Sequence, residues 1–292
     1  VFEPNDPLAL ARRCLLRAGA ALALGLPGLA SRAAAPAQAL HPGWAGARIV
    51  EERQTQFGRL AVLEQGRVRY LVFDPANRYV YQSIVDLDRP NELAGRYSRL
   101  MMLGMVYAEP YARQVHIGVG GGTMAGYVIR TFPSAVVHAI DIDRDVLELG
   151  ARWFGLAPNP RLHVHQADGR QWLETSRDSF DVIMLDAYDD ESIPAALKGA
   201  DFFRIVAARL ARTGVVMQNV YTGQVDRGQL IAAMGGSFDH IDVYRIGQSD
   251  VFAAYRGKRK DPEALRRRAR QLDASLRPPH PLEQSLEFRA RG

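Results

Sequence analysis

The chain has 292 residues, 47% of them hydrophobic, a length that allows one full α/β core and a small accessory domain. Its formal charge of +5 does not mark a nucleic-acid surface, because the basic residues fall mainly at 12–17 and 256–270 and not in an aromatic-interleaved groove. The single cysteine, Cys14, excludes an internal disulfide framework and a cysteine-built metal site.

The N-terminal residues Arg12-Arg13-Cys14-Leu15-Leu16-Arg17 precede an apolar stretch over 18–30 and a small-residue segment ending Ala37-Gln38-Ala39. This order of charged region, short apolar region and A-x-A site predicts an export signal over 1–39, and the paired arginines give it the twin-arginine form. Gly25 and Pro27 interrupt the apolar stretch, which is too short for a membrane span, so no span is expected in the mature chain. A working signal places the protein in the periplasm or beyond; without one it stays in the cytoplasm. Cys14 would leave with the signal, and the mature chain would have no thiol nucleophile.

Residues 47–54, 59–64, 68–73 and 79–83 read as short strands rich in Val, Leu, Ile and Tyr, separated by turn signals at Gly58, Gln65-Gly66 and Pro75-Ala76-Asn77. A helix is expected over 92–108, ending before Pro110. From there strands at 115–119, 135–140, 162–166, 180–185 and 214–219 alternate with helices at 124–130, 144–154, 170–175, 201–210 and 224–234. Paired strands at 238–245 and 251–255 suggest an antiparallel edge. The fold class is therefore α/β, a Rossmann-like doubly wound and mostly parallel sheet with a small N-terminal antiparallel β domain. The expected organisation is export signal over 1–39, β domain and linking helix over 40–108, nucleoside-binding transferase domain over 109–258, and C-terminal helix and tail over 259–292.

Three successive strand ends carry ligand chemistry. Gly118, Gly120, Gly121 and Gly122 lie between a strand and a helix, where the absence of side chains lets backbone approach a ligand closely. Asp141 ends the next strand about 20 residues on, the position from which a carboxylate accepts ribose hydroxyls. Asp168-Gly169 closes the third, where a carboxylate can receive an adenine amino group. The glycine spacing is not that of the dinucleotide fingerprint, which favours another nucleoside. His163 and His165 share a strand face, but the sequence spaces no third ligand to join them, and Ser98 and Ser192 lack a nucleophile-elbow context; no metal is expected.

The runs Val115-His116-Ile117-Gly118-Val119-Gly120-Gly121-Gly122, Ile140-Asp141-Ile142-Asp143, Ala167-Asp168-Gly169-Arg170 and Asp186-Ala187-Tyr188-Asp189 together resemble the spermidine synthases, the polyamine aminopropyltransferases. The resemblance covers roughly 48–219 and implies a class I S-adenosylmethionine-dependent transferase fold. It implies Gly118, Gly120, Gly122, Asp141, Asp168 and Gly169 at the nucleoside, Asp186 as general base, and Asp189, Tyr97 and Gln82 toward the acceptor. The co-substrate implied is decarboxylated S-adenosylmethionine or S-adenosylmethionine itself, and the partner a small-molecule amine such as a polyamine, with a homodimer left open. A base fits the chemistry, since a protonated amine cannot attack a sulfonium carbon until its proton is removed. Acids at 186, 189, 190 and 191 also suit a cationic acceptor.

The chain departs from the family at several positions. Gly120-Gly121-Gly122-Thr123 lacks the loop aspartate, the family's Tyr-His pair stands as Tyr97-Ser98, its early glutamine falls near Arg48, and Asp190 replaces the proline after the second acid. Two alternatives follow: an S-adenosylmethionine-dependent methyltransferase, and a non-catalytic exported binding protein that keeps the fold.

Overall fold

Alternating apolar and polar residues over the first third of the chain form a four-stranded antiparallel sheet of β1 (Arg48–Thr55), β2 (Gly58–Gln65), β3 (Val68–Phe73) and β4 (Ser83–Asp86), in that order. A computed structural model describes residues 39–189 and 192–290. The expected export signal, apart from residue 39, and Asp190 and Glu191 of the acidic run lie outside the described residues. Beyond the small sheet, β5 (Arg113–Ile117), β6 (Val136–Asp141), β7 (Leu162–Gln166), β8 (Phe180–Leu185), β9 (Leu210–Tyr221), β10 (His240–Ile246) and β11 (Ser249–Tyr255) build a seven-stranded sheet in the order β10-β11-β9-β8-β5-β6-β7. Strands β5 to β9 run parallel and the β10–β11 pair closes one edge antiparallel, which is the α/β class that the alternation predicts.

Burial on both faces explains the continuous apolar runs. In β8 every residue is buried; Val182 and Met184 face one apolar cluster with Met105, Tyr127 and Met217, while Phe180, Ile183 and Leu185 face another with Phe202, Phe203 and Val206. The helix Arg144–Trp153 presents Val146 and Leu149 to Leu60, Val62 and Leu71 of the small sheet. Arg53 adds ion pairs to Asp145 and Glu148 of that helix at 2.9 and 2.6 Å, so β1 and β2 are held against the larger sheet's helical layer by apolar and charged contacts.

Strand β9 begins at Leu210, ahead of the expected 214, and three further departures from expectation have a clear packing cause. The fourth strand starts at Ser83, not 79, because Tyr79 turns away to pack edge-on against Trp44 at 4.6 Å and over His41. The expected helix over 92–108 is two short ones, Arg96–Met101 and Gly104–Tyr107. They part where Gly104 lies so close to β8 and β9 that a Cβ would stand 2.8 Å from Val182 Cγ1 and 3.1 Å from Met217 Cγ. The C-terminal tail is also more ordered than a charged, Pro-containing sequence suggests. After helices Pro262–Leu276 and Leu282–Leu286, it pairs with β10 through Arg245 N–H to Phe288 O (2.9 Å) and Ala290 N–H to Val243 O (2.7 Å). Buried Asp242 anchors it, accepting from Arg289 at 2.5 Å and from the Tyr107 hydroxyl at 2.7 Å.

Gly104→Ala should therefore overpack the joint between linking helix and sheet and cost about 1–3 kcal/mol. A lowered urea midpoint at unchanged slope would show it; an unchanged midpoint would mean that Val182 yields freely.

Candidate active site

Strand β5 ends at Ile117, and the chain turns through Gly118 to Gly122 into the helix Thr123–Thr131. Gly118, Gly120 and Gly122 all take left-handed backbone, with φ of +76°, +53° and +78°. A Cβ on Gly118 would stand 2.4 Å from Ala187 Cα and 2.5 Å from Ala187 N, so the glycine loop and the segment after β8 touch backbone to backbone. The small sheet holds the loop from its other side: Gly121 N–H donates to the buried Ser83 hydroxyl at 2.8 Å.

Asp141 stands at the end of β6, beside this loop. Its Oδ2 accepts the Val119 and Gly120 N–H groups, each at 3.1 Å, and its Oδ1 accepts Asp143 N–H at 3.1 Å. Burial pushes its carboxyl up to about 6, against the lowering effect of those backbone donors. Asp141 thus shapes the glycine loop, and a lone pair on Oδ1 stays available for a further donor.

Asp186 follows β8 directly, its N–H donating to Ile117 O at 2.9 Å. Its Oδ2 accepts the Tyr97 hydroxyl at 2.9 Å and its Oδ1 accepts Asn219 Nδ2 at 2.7 Å, so the linking helix, the acidic loop and β9 meet on one carboxylate. Burial pushes Asp186 up to about 7, and the two donors moderate the rise. The same burial and the neighbouring Asp186 charge keep Tyr97 a neutral phenol far above its ordinary range. Tyr188 braces the loop: its hydroxyl donates to Asn219 O at 3.0 Å and accepts Tyr221 N–H at 2.7 Å.

The remaining predicted residues are placed differently. Asp168 caps the helix Gly169–Thr175, its Oδ1 accepting Gln171 N–H at 2.9 Å, and is exposed. Gly169 packs on β5, where a Cβ would meet Ile117 Cγ2 at 2.3 Å. Asp189 is exposed and pairs with Ser192, accepting the Ser192 N–H at 2.8 Å while the Asp189 N–H donates to Ser192 O at 2.9 Å. Gln82 turns its side-chain oxygen to Phe73 N–H at 3.3 Å; its backbone carbonyl is what approaches the loop, 3.1 Å from where a Gly120 Cβ would lie.

Sequence reasoning missed Asn219 and Ser83. Both sit inside or at the start of strands with no motif around them; strand order brings Asn219 to the site, and packing of the small sheet on the larger one brings Ser83. It also missed His138, which joins His163 and His165 from the neighbouring strand: His138 stacks on both rings, with Nδ1 3.0 Å from His165 Nε2. Among the described residues no group of three or more His, Cys, Asp or Glu is arranged to hold a metal ion. Among the same residues, no helix is long and apolar enough to cross a membrane.

Residues 115–206 match the family described as a methyltransferase domain. The polyamine aminopropyltransferase of Chromobacterium violaceum is 28% identical over 225 residues, 73% of this chain and 82% of that protein. The eEF1A lysine and N-terminal methyltransferase of Bos taurus is 29% identical over 180 residues, 56% of this chain and 26% of its own. A solved probable spermidine synthase from Corynebacterium glutamicum shares the fold with a TM-score of 0.64 at 20% identity, covering 76% of this chain and 87% of that one. The chain is thus similar in sequence to polyamine aminopropyltransferases and methyltransferase domains, and it shares the fold of solved spermidine synthases.

Two outcomes can be checked, the first on the expectation from the sequence that Asp141 meets a nucleoside. Asp141→Ala should weaken binding of an adenosyl nucleoside by about 1–3 kcal/mol, as expected for lost charge-assisted hydrogen bonds; calorimetry against methylthioadenosine would measure it, and unchanged affinity in a folded variant would remove Asp141 from the site. Asp186 titrates near 7 when folded and near 3.8 when free, so its contribution to stability is full below about 4 and is lost as the pH rises through 7. Asp186→Asn should accordingly gain stability relative to the parent protein between pH 5 and pH 8. Parallel melting curves at the two pH values would show that the carboxyl is not strained by burial.

Proposed function

We propose that this protein is a transferase that binds an S-adenosyl nucleoside and moves an alkyl group, aminopropyl in the first reading, from the sulfonium to a small-molecule amine. The observation that carries the reading is the Asp186 carboxylate, pushed up to about 7 beside the glycine loop and aimed by Tyr97 and Asn219. A base of that affinity is matched to taking a proton from an ammonium near neutral pH and holding it only transiently. Similarity to a polyamine aminopropyltransferase supports the aminopropyl donor and a polyamine-type acceptor.

In this scheme the turn from Gly118 to Gly122, with its backbone N–H groups and the Asp141 carboxylate beside it, receives the ribose, and Asp168 and Gly169 border the adenine. The co-substrate supplies the electrophilic carbon, activated by the positive sulfur. Asp186 accepts the proton from the acceptor ammonium, the freed amine lone pair forms the new C–N bond, and the C–S bond breaks to leave a neutral thioether. The Tyr97 hydroxyl and Asn219 amide stabilise Asp186 in its ionised form and fix its direction. Asp189, exposed at the loop, meets the far end of the acceptor.

The methyltransferase reading has its own support. Residues 115–206 match a methyltransferase domain, and the loop 120–123 offers no acid to a transferred aminopropyl nitrogen. Calorimetry with S-adenosylmethionine and with its decarboxylated form separates the two, because only the former brings a carboxylate into the site. Export is proposed on the residue pattern over 12–39 alone.

With the donor so identified, Asp186→Asn should leave nucleoside binding nearly intact and lower turnover by about 10²–10⁴-fold. In the parent enzyme kcat/KM should fall below about pH 7, where Asp186 becomes protonated. Asp189→Asn should mainly raise the acceptor's KM. Full turnover in Asp186→Asn would assign the base elsewhere, and absence of turnover in the parent with every donor would favour a binding protein.

A further inference from the structure

Beneath Asp186 lies a small cavity bordered by His116, Gly118, Met124, Met184 and Asp186, with room for about one water molecule. The lining is mostly apolar, and His116, 2% exposed on the central strand β5, is its one polar side chain besides Asp186. The hydrogen bonds around it define its tautomer. Gln114 is fully buried and spends both amide hydrogens, one on Tyr111 O at 2.8 Å and one toward Met105 Sδ at 3.3 Å. Its oxygen therefore faces His116 Nε2 at 3.2 Å, and the imidazole must donate from that nitrogen. Nδ1 is left as a bare acceptor, buried and without a partner among the described residues. A buried acceptor without a donor costs about 1–3 kcal/mol, so this position calls for a donor from whatever enters the cavity.

We propose that the cavity is a built site for one water, which donates one hydrogen to His116 Nδ1 and the other to the Asp186 carboxylate, and that His116 is thereby a positioning residue for the base. The proposal rests on the reading of Asp186 as that base. Asp186 has the capacity, since each oxygen accepts one protein donor and keeps a second lone pair. His116 does not take the proton itself: burial pushes its imidazole down to about 3, and it serves as a neutral acceptor throughout the working range. The other titratable groups around Asp186 are Tyr97 on the linking helix, Tyr188 on the acidic loop and, through Tyr97, Tyr81; burial raises all three phenols. Asn219, on β9, does not titrate. Asp141, on the other side of the glycine loop, is also pushed up, to about 6, so the Asp186 transition is assigned as the one that disappears in Asp186→Asn.

The water stabilises the ionised carboxylate, so removing it raises the affinity of Asp186 for its proton. His116→Leu should shift the Asp186 midpoint upward by about one pH unit, the worth of one hydrogen bond to the charged form. The shift is read by carbon-13 NMR of labelled aspartate in the ligand-free protein, and the acid limb of kcat/KM should move with it. On that limb the variant should be about tenfold slower than the parent at the same pH. A folded His116→Leu with an unmoved Asp186 midpoint overturns the inference, and His116→Met gives the same reading should the leucine variant fail to fold. Independently, a high-resolution crystal structure of the parent protein should show an ordered water within hydrogen-bond distance of His116 Nδ1 and Asp186; a cavity without one overturns it. The titration needs no turnover, so the water site can fail while Asp186 remains the base. Conversely, full activity of Asp186→Asn would end the base assignment and leave the water site standing.

Discussion

The close approach of Gly118 to Ala187 is the constraint around which the site is organised. Two loops that follow adjacent parallel strands, β5 and β8, meet with no side chain between them, at a distance where a single Cβ would overlap the opposing backbone. Parallel pairing delivers both loops to the same sheet edge, and the glycine lets them close. The carboxylate of the residue before Ala187 is thereby held beside the turn that the nucleoside reading assigns to the ribose. Without that closure the glycine turn and the Asp186 carboxylate would sit on separate surfaces.

Around this contact the chain distributes polar groups sparingly. Burying Asp186 raises the cost of its charge, and two neutral donors from distant parts of the sequence, Tyr97 and Asn219, offset part of that cost. The result is a carboxylate poised near neutrality, neither permanently ionised like a surface acid nor locked in its protonated form. Asp141 is treated in the same way: three backbone N–H groups converge on it and are themselves given partners by it. In both cases one side chain satisfies the fold and tunes its own proton affinity. The small sheet contributes through Ser83, whose hydroxyl holds Gly121 N–H, and the Gln82 carbonyl just before β4 lies close to Gly120, so the sheet packs directly on the glycine loop.

Much of this was legible in the residues because strand ends in a doubly wound fold are where ligands bind, and apolar runs punctuated by Gly and Asp mark those ends. β3, β7 and β8 occupy the predicted positions, and Asp141 and Asp186 lie at strand ends as expected. The misreadings have local causes. At 79–81 an aromatic, β-branched run looks like a strand, yet Tyr79 finds a better partner in Trp44. Over 92–108 continuous helical patterning conceals a joint, because Gly104 is needed for contact with β8 and β9, not for the helix.

By itself the sequence determined the α/β class, the order of strands and helices, and the acids at the strand ends, all of which follow from short-range periodicity and turn chemistry. Tertiary structure alone decided which side chains share a site. Asn219 is 33 residues from Asp186, Tyr97 is 89, and Ser83 is 38 from Gly121. Strand order brings Asn219 to Asp186, and the packing of the linking helix and the small sheet on the larger one brings Tyr97 and Ser83 within hydrogen-bond distance of their partners. Tertiary structure likewise decided that Asp168 caps a helix and that Asp189 accepts Ser192 N–H, since an aspartate's partner is whichever donor the folded backbone leaves nearest. The proton affinity of Asp186 belongs to the same category, because desolvation depends on what surrounds a carboxylate in space and is invisible along the chain.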